Sequence, residues 1–434
     1  MKKKIKITLI ILLFLLTGCY SAIGKEGQQL KVMIISDLHH LYTEFYDDGE
    51  VSDYLRNLRD GKETTYTDII AKAVVEKAKE DKVDALIISG DLTFNGEYYS
   101  HKELTEILEP LLQEGIKVLV IPGNHDINNP FAYSYYGETK RYQRTVTSEE
   151  FREIYKNYGY KDSTFEDRSS LSYVYRLSDD VWFLMLDTSI YEANSGFGLS
   201  GKCEIREKSL KWIKKMFKEA KKKNAILIPV THECSFPNEY INNASGYILT
   251  NGEELRNLMV EYDSPLAISG HLHVQMILQK RQQGKTLYDV SQGSICVPGN
   301  LYGLLTINPH ESIDYQAINL DVTKYALANN LEDENLKDFY DFGFKHFQEV
   351  SYNLFYSDYL GSQLEQEEME DLAYLHAYLN PYYYCGQIDK IKEIYQDVEG
   401  YQTYLKYHDE LNYIERMIGE DKIDQLHLTV ELKD

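Results

Sequence analysis

Five short stretches of this chain carry side chains able to hold a cation: Asp37-Leu38-His39, Gly90-Asp91, Gly123-Asn124-His125-Asp126, His232, and Gly270-His271-Leu272-His273. Carboxylate, imidazole and carboxamide groups in this mixture suit divalent cations such as Mn, Fe or Zn. A hydrolase that attacks phosphorus needs a deprotonated water at neutral pH and a way to spread charge over the non-bridging oxygens. Two cations about 3.5 to 4 Å apart supply both, and a shared carboxylate holds such a pair together. Asp91 is the candidate bridge. Asp37, His39 and His273 complete one expected metal site, and Asn124, His232 and His271 the other. His125 is left over beside a ligand, where it can protonate a leaving oxygen, with Asp126 expected to orient its ring.

These groups share a place in the pattern, since each follows a short apolar run. Leu30 to Ile35 precedes Asp37, Val83 to Ile88 precedes Asp91, and Lys117 to Ile121 precedes Asn124. Ala225 to Val230 precedes His232, and Leu266 to Ser269 precedes His271. Continuous apolar runs separated by helical periodicity read as buried parallel strands, whose carboxyl ends are where open α/β sheets place their chemistry. Helical spacing marks Tyr66 to Glu80, His101 to Gln113, Ser148 to Tyr158, Glu204 to Lys223 and Glu253 to Val260. A hairpin is expected over Ser172 to Leu177 and Val181 to Leu186, with short strands and turns at Gln283-Gly284 and Asn308-Pro309 after Val274. The fold class is therefore α/β: two mixed sheets packed face to face with helices outside, over residues 30–320. Residues 127–171, rich in tyrosine, read as an insertion over the site mouth. From 321 to 434 the apolar residues keep a helical period, which predicts a smaller all-helical domain.

Taken together, the five motifs and their order resemble the calcineurin-like metallophosphoesterase superfamily. The run Gly90-Asp91-Leu92-Thr93-Phe94-Asn95-Gly96 is similar to its cyclic-nucleotide phosphodiesterase-like branch, and the helical tail is similar to that of secreted Gram-positive members. The resemblance implies an αββα sandwich, a metal pair on the residues named above and hydrolysis of a small phosphodiester. Phe94 stands where purple acid phosphatases carry a tyrosine ligand, and Glu233 follows His232 where many relatives have a second histidine. A phosphomonoesterase or nucleotidase uses the same metals but wants an added cationic residue, which spacing does not place. A non-catalytic binding lipoprotein is the reading from another class.

Address and charge limit the partners. Lys2, Lys3, Lys4 and Lys6 precede an apolar run, Ile7 to Leu16, too short to span a bilayer, and Leu16-Thr17-Gly18-Cys19 resembles a lipobox. Residues 1–18 are expected to be a lipoprotein signal peptide, Cys19 the lipidated first mature residue, and 19–29 a linker. The protein is then anchored on the outer face of the bacterial cytoplasmic membrane. The 434-residue chain has a net charge of −23, which argues against a stable nucleic-acid partner. Cys203, Cys234, Cys296 and Cys385 show no CxxC pair and leave any bridging open. His40 does not fit the ligand spacing, and His101 reads as a solvated helix start. Tyr98, Tyr99, Tyr135, Tyr136 and Tyr382 to Tyr384 are candidates to stack a nucleobase, with packing the favoured role for any one of them.

Overall fold

The computed structural model describes residues 27–58, 60–194, 198–237, 246–419 and 423–432. The expected signal peptide, the expected lipobox and Cys19 lie outside these residues. Strands Leu30–Ile35, Ala85–Ile88 and Lys117–Val120 pair in parallel, with helices Thr67–Asp81 and Tyr98–Gln113 as crossovers. Their side chains are buried on both faces almost throughout, which is why they read as unbroken apolar runs rather than alternating ones. On the other side of Leu30–Ile35 lie Leu301–Asn308, Ser312–Asn319 and His427–Glu431, all antiparallel, which completes a six-stranded sheet.

The second sheet has seven strands. Lys285–Ser291, Leu266–Ser269, Ile226–Val230 and Val181–Met185 run parallel to one another, flanked by antiparallel Met276–Gln282 and by Tyr173–Arg176 with Phe165–Glu166. Gln283 and Gly284 both take positive φ, the turn geometry that fits a two-residue hairpin. One apolar cluster draws Val32, Ile34, Ile87 and Leu119 from the first sheet and Phe183, Val230, Ile268 and Val290 from the second, so the sheets share a core. A second cluster joins the outer face of the seven-stranded sheet to helices Glu207–Lys222 and Gly252–Glu261.

The structure adds to the sequence reading in four places. Helix Glu50–Arg56 and hairpin Tyr133–Tyr136 with Thr139–Tyr142 were not expected. The helix expected to reach Tyr158 ends at Ile154, where a wider turn over Lys156–Tyr160 bends around Gly159 at φ +114°. The C-terminal region is not all helical. Helices Phe339–Tyr359 and Gln366–Tyr384 pack together with Ile388–Ile394, Tyr401–Leu411 and Tyr413–Ile418, but His427–Glu431 returns to the first sheet as its edge strand.

Candidate metal centre

Each motif glycine makes room for a site side chain. A Cβ at Gly90 (φ +98°) would lie 2.4 Å from His232 Nδ1, one at Gly123 would lie 2.2 Å from Asp91 Oδ1, and one at Gly270 would lie 2.7 Å from Asp37 Oδ2. Five of the seven candidate ligands sit in strained backbone. Asp37, His39, Asp91, His271 and His273 all take φ between 47° and 68°, a conformation costing a side-chain-bearing residue roughly 1 kcal/mol or more and kept where the surroundings over-determine it. These turns follow strands Leu30–Ile35, Ala85–Ile88 and Leu266–Ser269.

The side chains converge. His39 Nε2 lies 3.1 Å from His273 Nε2 and 3.7 Å from Asp91 Oδ2, while His273 Nε2 is 3.4 Å from Asp37 Oδ1. His232 Nε2 lies 3.1 Å from Asn124 Oδ1, 3.2 Å from His271 Nδ1 and 3.3 Å from Asp91 Oδ2. Ligand atoms within 4.8 Å of one another group Asp37 with His39 and His273, and Asp91 with His232 and His271. All seven expected ligands are thereby brought to one place, and Asp91 stands between the two groups. A third grouping, His39 with Asp91 and His125, puts the expected proton donor next to both.

The donor set fits a cation. His232 Nδ1 donates to Ser89 O at 2.9 Å and His271 Nε2 donates to Gly246 O at 2.8 Å. The ring nitrogens facing each other are then both lone pairs, and with Asn124 Oδ1 and Asp91 Oδ2 they make four acceptors aimed at one point. Four acceptors repel unless a positive charge sits among them. Although burial works against it, Asp91 draws a proton toward His232, raising that imidazole well above its usual range; a divalent cation there replaces the proton. In the other group, Asp37 Oδ1 is buried without a hydrogen-bond partner, an orphan that a cation satisfies. Burial raises the Asp37 and Asp91 carboxyls, but the imidazoles around them outweigh it, so both stay ionised.

Asp126 does not orient His125. Its carboxylate accepts from Leu92 N (3.1 Å), Thr93 N (2.9 Å), Thr93 Oγ1 (2.9 Å) and Gly123 N (2.8 Å), so it ties the Asp91 loop to the Asn124 loop. With both oxygens spent on these donors, the ring is held instead by Asn95. His125 Nδ1 donates to Asn95 Oδ1 at 2.9 Å and Phe94 O at 3.0 Å, and Asn129 Nδ2 donates to the same Asn95 oxygen at 3.1 Å. Burial lowers His125 to about 4 against the pull of Asp91. Asn95 was in view within the Gly90 to Gly96 run, but its role depends on a contact 30 residues away.

Other residues fall outside the centre. Glu233 is buried and turned away, accepting from Thr188 Oγ1 and from Ser189 Oγ at 2.7 Å. His40 is buried against Glu103 at 2.9 Å. His101, expected in solvent, is buried inside its helix. Its Nε2 donates to Asp126 O at 3.0 Å and its Nδ1 accepts from the Tyr155 hydroxyl at 2.9 Å, which braces the Asp126 turn. Cys203, Cys234, Cys296 and Cys385 are free and buried. Tyr135 packs with Phe94 and Leu41, whereas Tyr99 is exposed and stacks on Tyr42 at 5.6 Å.

A family model for calcineurin-like phosphoesterases matches residues 30–275, more than half of the chain. The chain belongs to the calcineurin-like phosphoesterase family. Residues 321–424 match the C-terminal domain of cyclic nucleotide phosphodiesterase. Two curated proteins named probable cyclic nucleotide phosphodiesterase are similar over 63 residues: one from Ruthia magnifica subsp. Calyptogena magnifica at 49% identity and one from Vesicomyosocius okutanii subsp. Calyptogena okutanii at 41%. In both cases this is 14% of the chain, which spans about a quarter (26%) of the relatives' length. Among solved structures, a dimetal phosphatase from Danio rerio aligns at 12% identity and a TM-score of 0.46, over 66% of this chain and 95% of that one.

Proposed function

We propose that this protein is a dinuclear phosphodiesterase acting on small phosphodiesters of the cyclic-nucleotide kind, anchored through Cys19 on the outer face of the cytoplasmic membrane. The observation that carries the dinuclear reading is the convergence of two acceptor groups on Asp91, one with Asp37, His39 and His273 and one with Asn124, His232 and His271. Bound there, two divalent cations supply a deprotonated water at neutral pH and offset charge on the phosphoryl oxygens. Asp91 spans both groups and fixes their spacing. His125 turns Nε2 toward the site while Nδ1 is held by Asn95 and Phe94. Its Nε2 proton passes to the leaving oxygen as the P–O bond breaks, and the anionic phosphoryl group beside it favours the cationic ring that burial disfavours.

The diester substrate rests on the match of residues 321–424 and on the printed names of the two relatives. The address rests on the basic start, the apolar run and the Leu16 to Cys19 tetrapeptide. The test is hydrolysis of a generic phosphodiester against the matching monoester with Mn supplied, with His125→Ala and Asp91→Asn as controls. Diester turnover abolished in both variants is the expected result. No turnover of either ester by metal-loaded protein would overturn the reading and favour a binding lipoprotein. Labelling of the intact chain with palmitate, lost in Cys19→Ser, tests the anchor.

A further inference from the structure

Lys62 is a buried cation that the chemistry above does not use. Its side chain is only 6% exposed, with Nζ 3.0 Å from Asp60 Oδ2 and 5.9 Å above the Phe94 ring. Phe94 follows the Asp91 turn, and its carbonyl oxygen accepts from His125 Nδ1 at 3.0 Å. The loop is fastened to the frame of the centre. Glu63 N donates to Cys296 O at 2.7 Å, and Cys296 Sγ and Ser294 Oγ both donate to Asp37 O, at 3.2 and 2.8 Å. The charge reaches the site, for it helps burial lower His39 and His125 and is itself favoured by Asp91. Burial works against that charge, but Asp60 outweighs it and keeps the ammonium ionised.

The C-terminal helices hold this loop in place. A Cβ at Gly61 would lie 2.0 Å from Phe347 Cδ2, and a Cβ at Gly343 would lie 2.2 Å from Glu63 Oε1. Phe347 packs edge-on against Tyr384 at 4.8 Å, and Tyr384 O accepts from Gln275 N, two residues past His273, at 2.9 Å. One helix pair therefore braces both the Lys62 loop and a ligand loop. Burying a lysine costs several kcal/mol unless its charge is used or paired, and the pairing with Asp60, itself partly exposed, engages one of the three ammonium donors.

We propose that Lys62 is a phosphate-binding cation of this centre, held by the C-terminal helices, and that it gives the site affinity for a dianionic phosphoryl group. The enzyme then binds and cleaves phosphomonoesters as well as diesters, and it retains phosphate. A diester carries one negative charge for the metals to meet, whereas a monoester or phosphate carries a second for Lys62. The inference rests on the phosphoesterase reading above.

The test is calorimetric binding of inorganic phosphate to metal-loaded protein, with metal content read separately. Loss of one charge-assisted contact predicts about 10- to 100-fold weaker phosphate binding in Lys62→Gln. Two metals are retained, and Lys62→Arg recovers most of the affinity. Asp60→Asn with Lys62→Gln leaves no unpaired buried charge, so it keeps the fold while showing the same loss. Steady-state assays then show monoester kcat/KM falling at least tenfold more than diester kcat/KM. Equal phosphate affinity in wild type and Lys62→Gln, or no phosphate binding by the metal-loaded wild type, overturns the assignment and leaves the metal centre standing. A wild type that takes up no metal overturns the phosphoesterase reading and the assignment with it.

Discussion

Gly90→Ala probes the centre without replacing a candidate ligand. At φ +98° an added Cβ would stand 2.4 Å from His232 Nδ1 and 2.6 Å from its Cγ, so the ring cannot stay where it donates to Ser89 O. The left-handed backbone alone costs an alanine roughly 1 to 2 kcal/mol. Losing the Nδ1 hydrogen bond costs about 1 kcal/mol more and frees the tautomer that aims Nε2 at Asn124 and Asp91. A displaced outer partner of a metal-bound imidazole weakens metal affinity by about 10- to 100-fold. Metal titration with both ions followed is the assay, alongside thermal unfolding with and without metal. The expected result is that one ion binds about 10- to 100-fold more weakly in the variant, while the ion held by Asp37, His39 and His273 is changed less. Two ions bound at wild-type affinity, in a protein destabilised by the backbone term alone, would refute the argument.

Asn95→Ala should lower kcat by about 10- to 100-fold with both metals retained, since it frees the His125 ring; loss of metal instead would show that Asn95 supports ligands rather than the proton donor. Asp126→Asn should be destabilising, because one carboxylate serves three backbone donors and the Thr93 hydroxyl, and its thermal midpoint should fall more than that of Asn95→Ala. Glu63 is buried, and burial pushes its carboxyl up to about 8 despite the hydrogen bond from Asn300. The folded value stands above the ordinary 4.5, so stability is fullest below about 4.5 and is lost as pH rises to about 8, by at most about 5 kcal/mol. In Glu63→Gln the decline in thermal midpoint between those pH values should flatten, and an unchanged slope would place the titration elsewhere. Phe347→Ala should cost about 3 kcal/mol by leaving a cavity under Gly61 and weaken phosphate binding while metal content holds.

The parallel strands were legible because burial on both faces leaves no alternation to disguise them, as in Val83 to Ile88. The convergence of the candidate ligands was legible because strand ends follow from the strands, so type and order picked out seven side chains that the fold brings within reach of one another. What escaped depended on contacts made only after the chain folds. Asn95 takes the role expected of Asp126 because hydrogen bonds across about 30 residues decide it. His101 looked solvated because Tyr155, in the insertion, covers it. Strand His427–Glu431 does alternate, with Leu428 and Val430 buried, but five residues after a helical tail carry little signal without the Ser312–Asn319 edge to pair with. Lys62 lies between Glu50–Arg56 and Thr67–Asp81 in a segment with no period, and its neighbours Gly61 and Glu63 meet Phe347 and Gly343 from far along the chain.

Elemental analysis of purified wild type beside Asp91→Asn, with diester hydrolysis measured on the same samples, decides whether Asp91 holds a metal pair. Two divalent ions per wild-type chain are expected, at most one in the variant, and hydrolysis only where both are present. One ion or none in a wild type that still hydrolyses the diester, or two ions retained by Asp91→Asn, would contradict that role of Asp91.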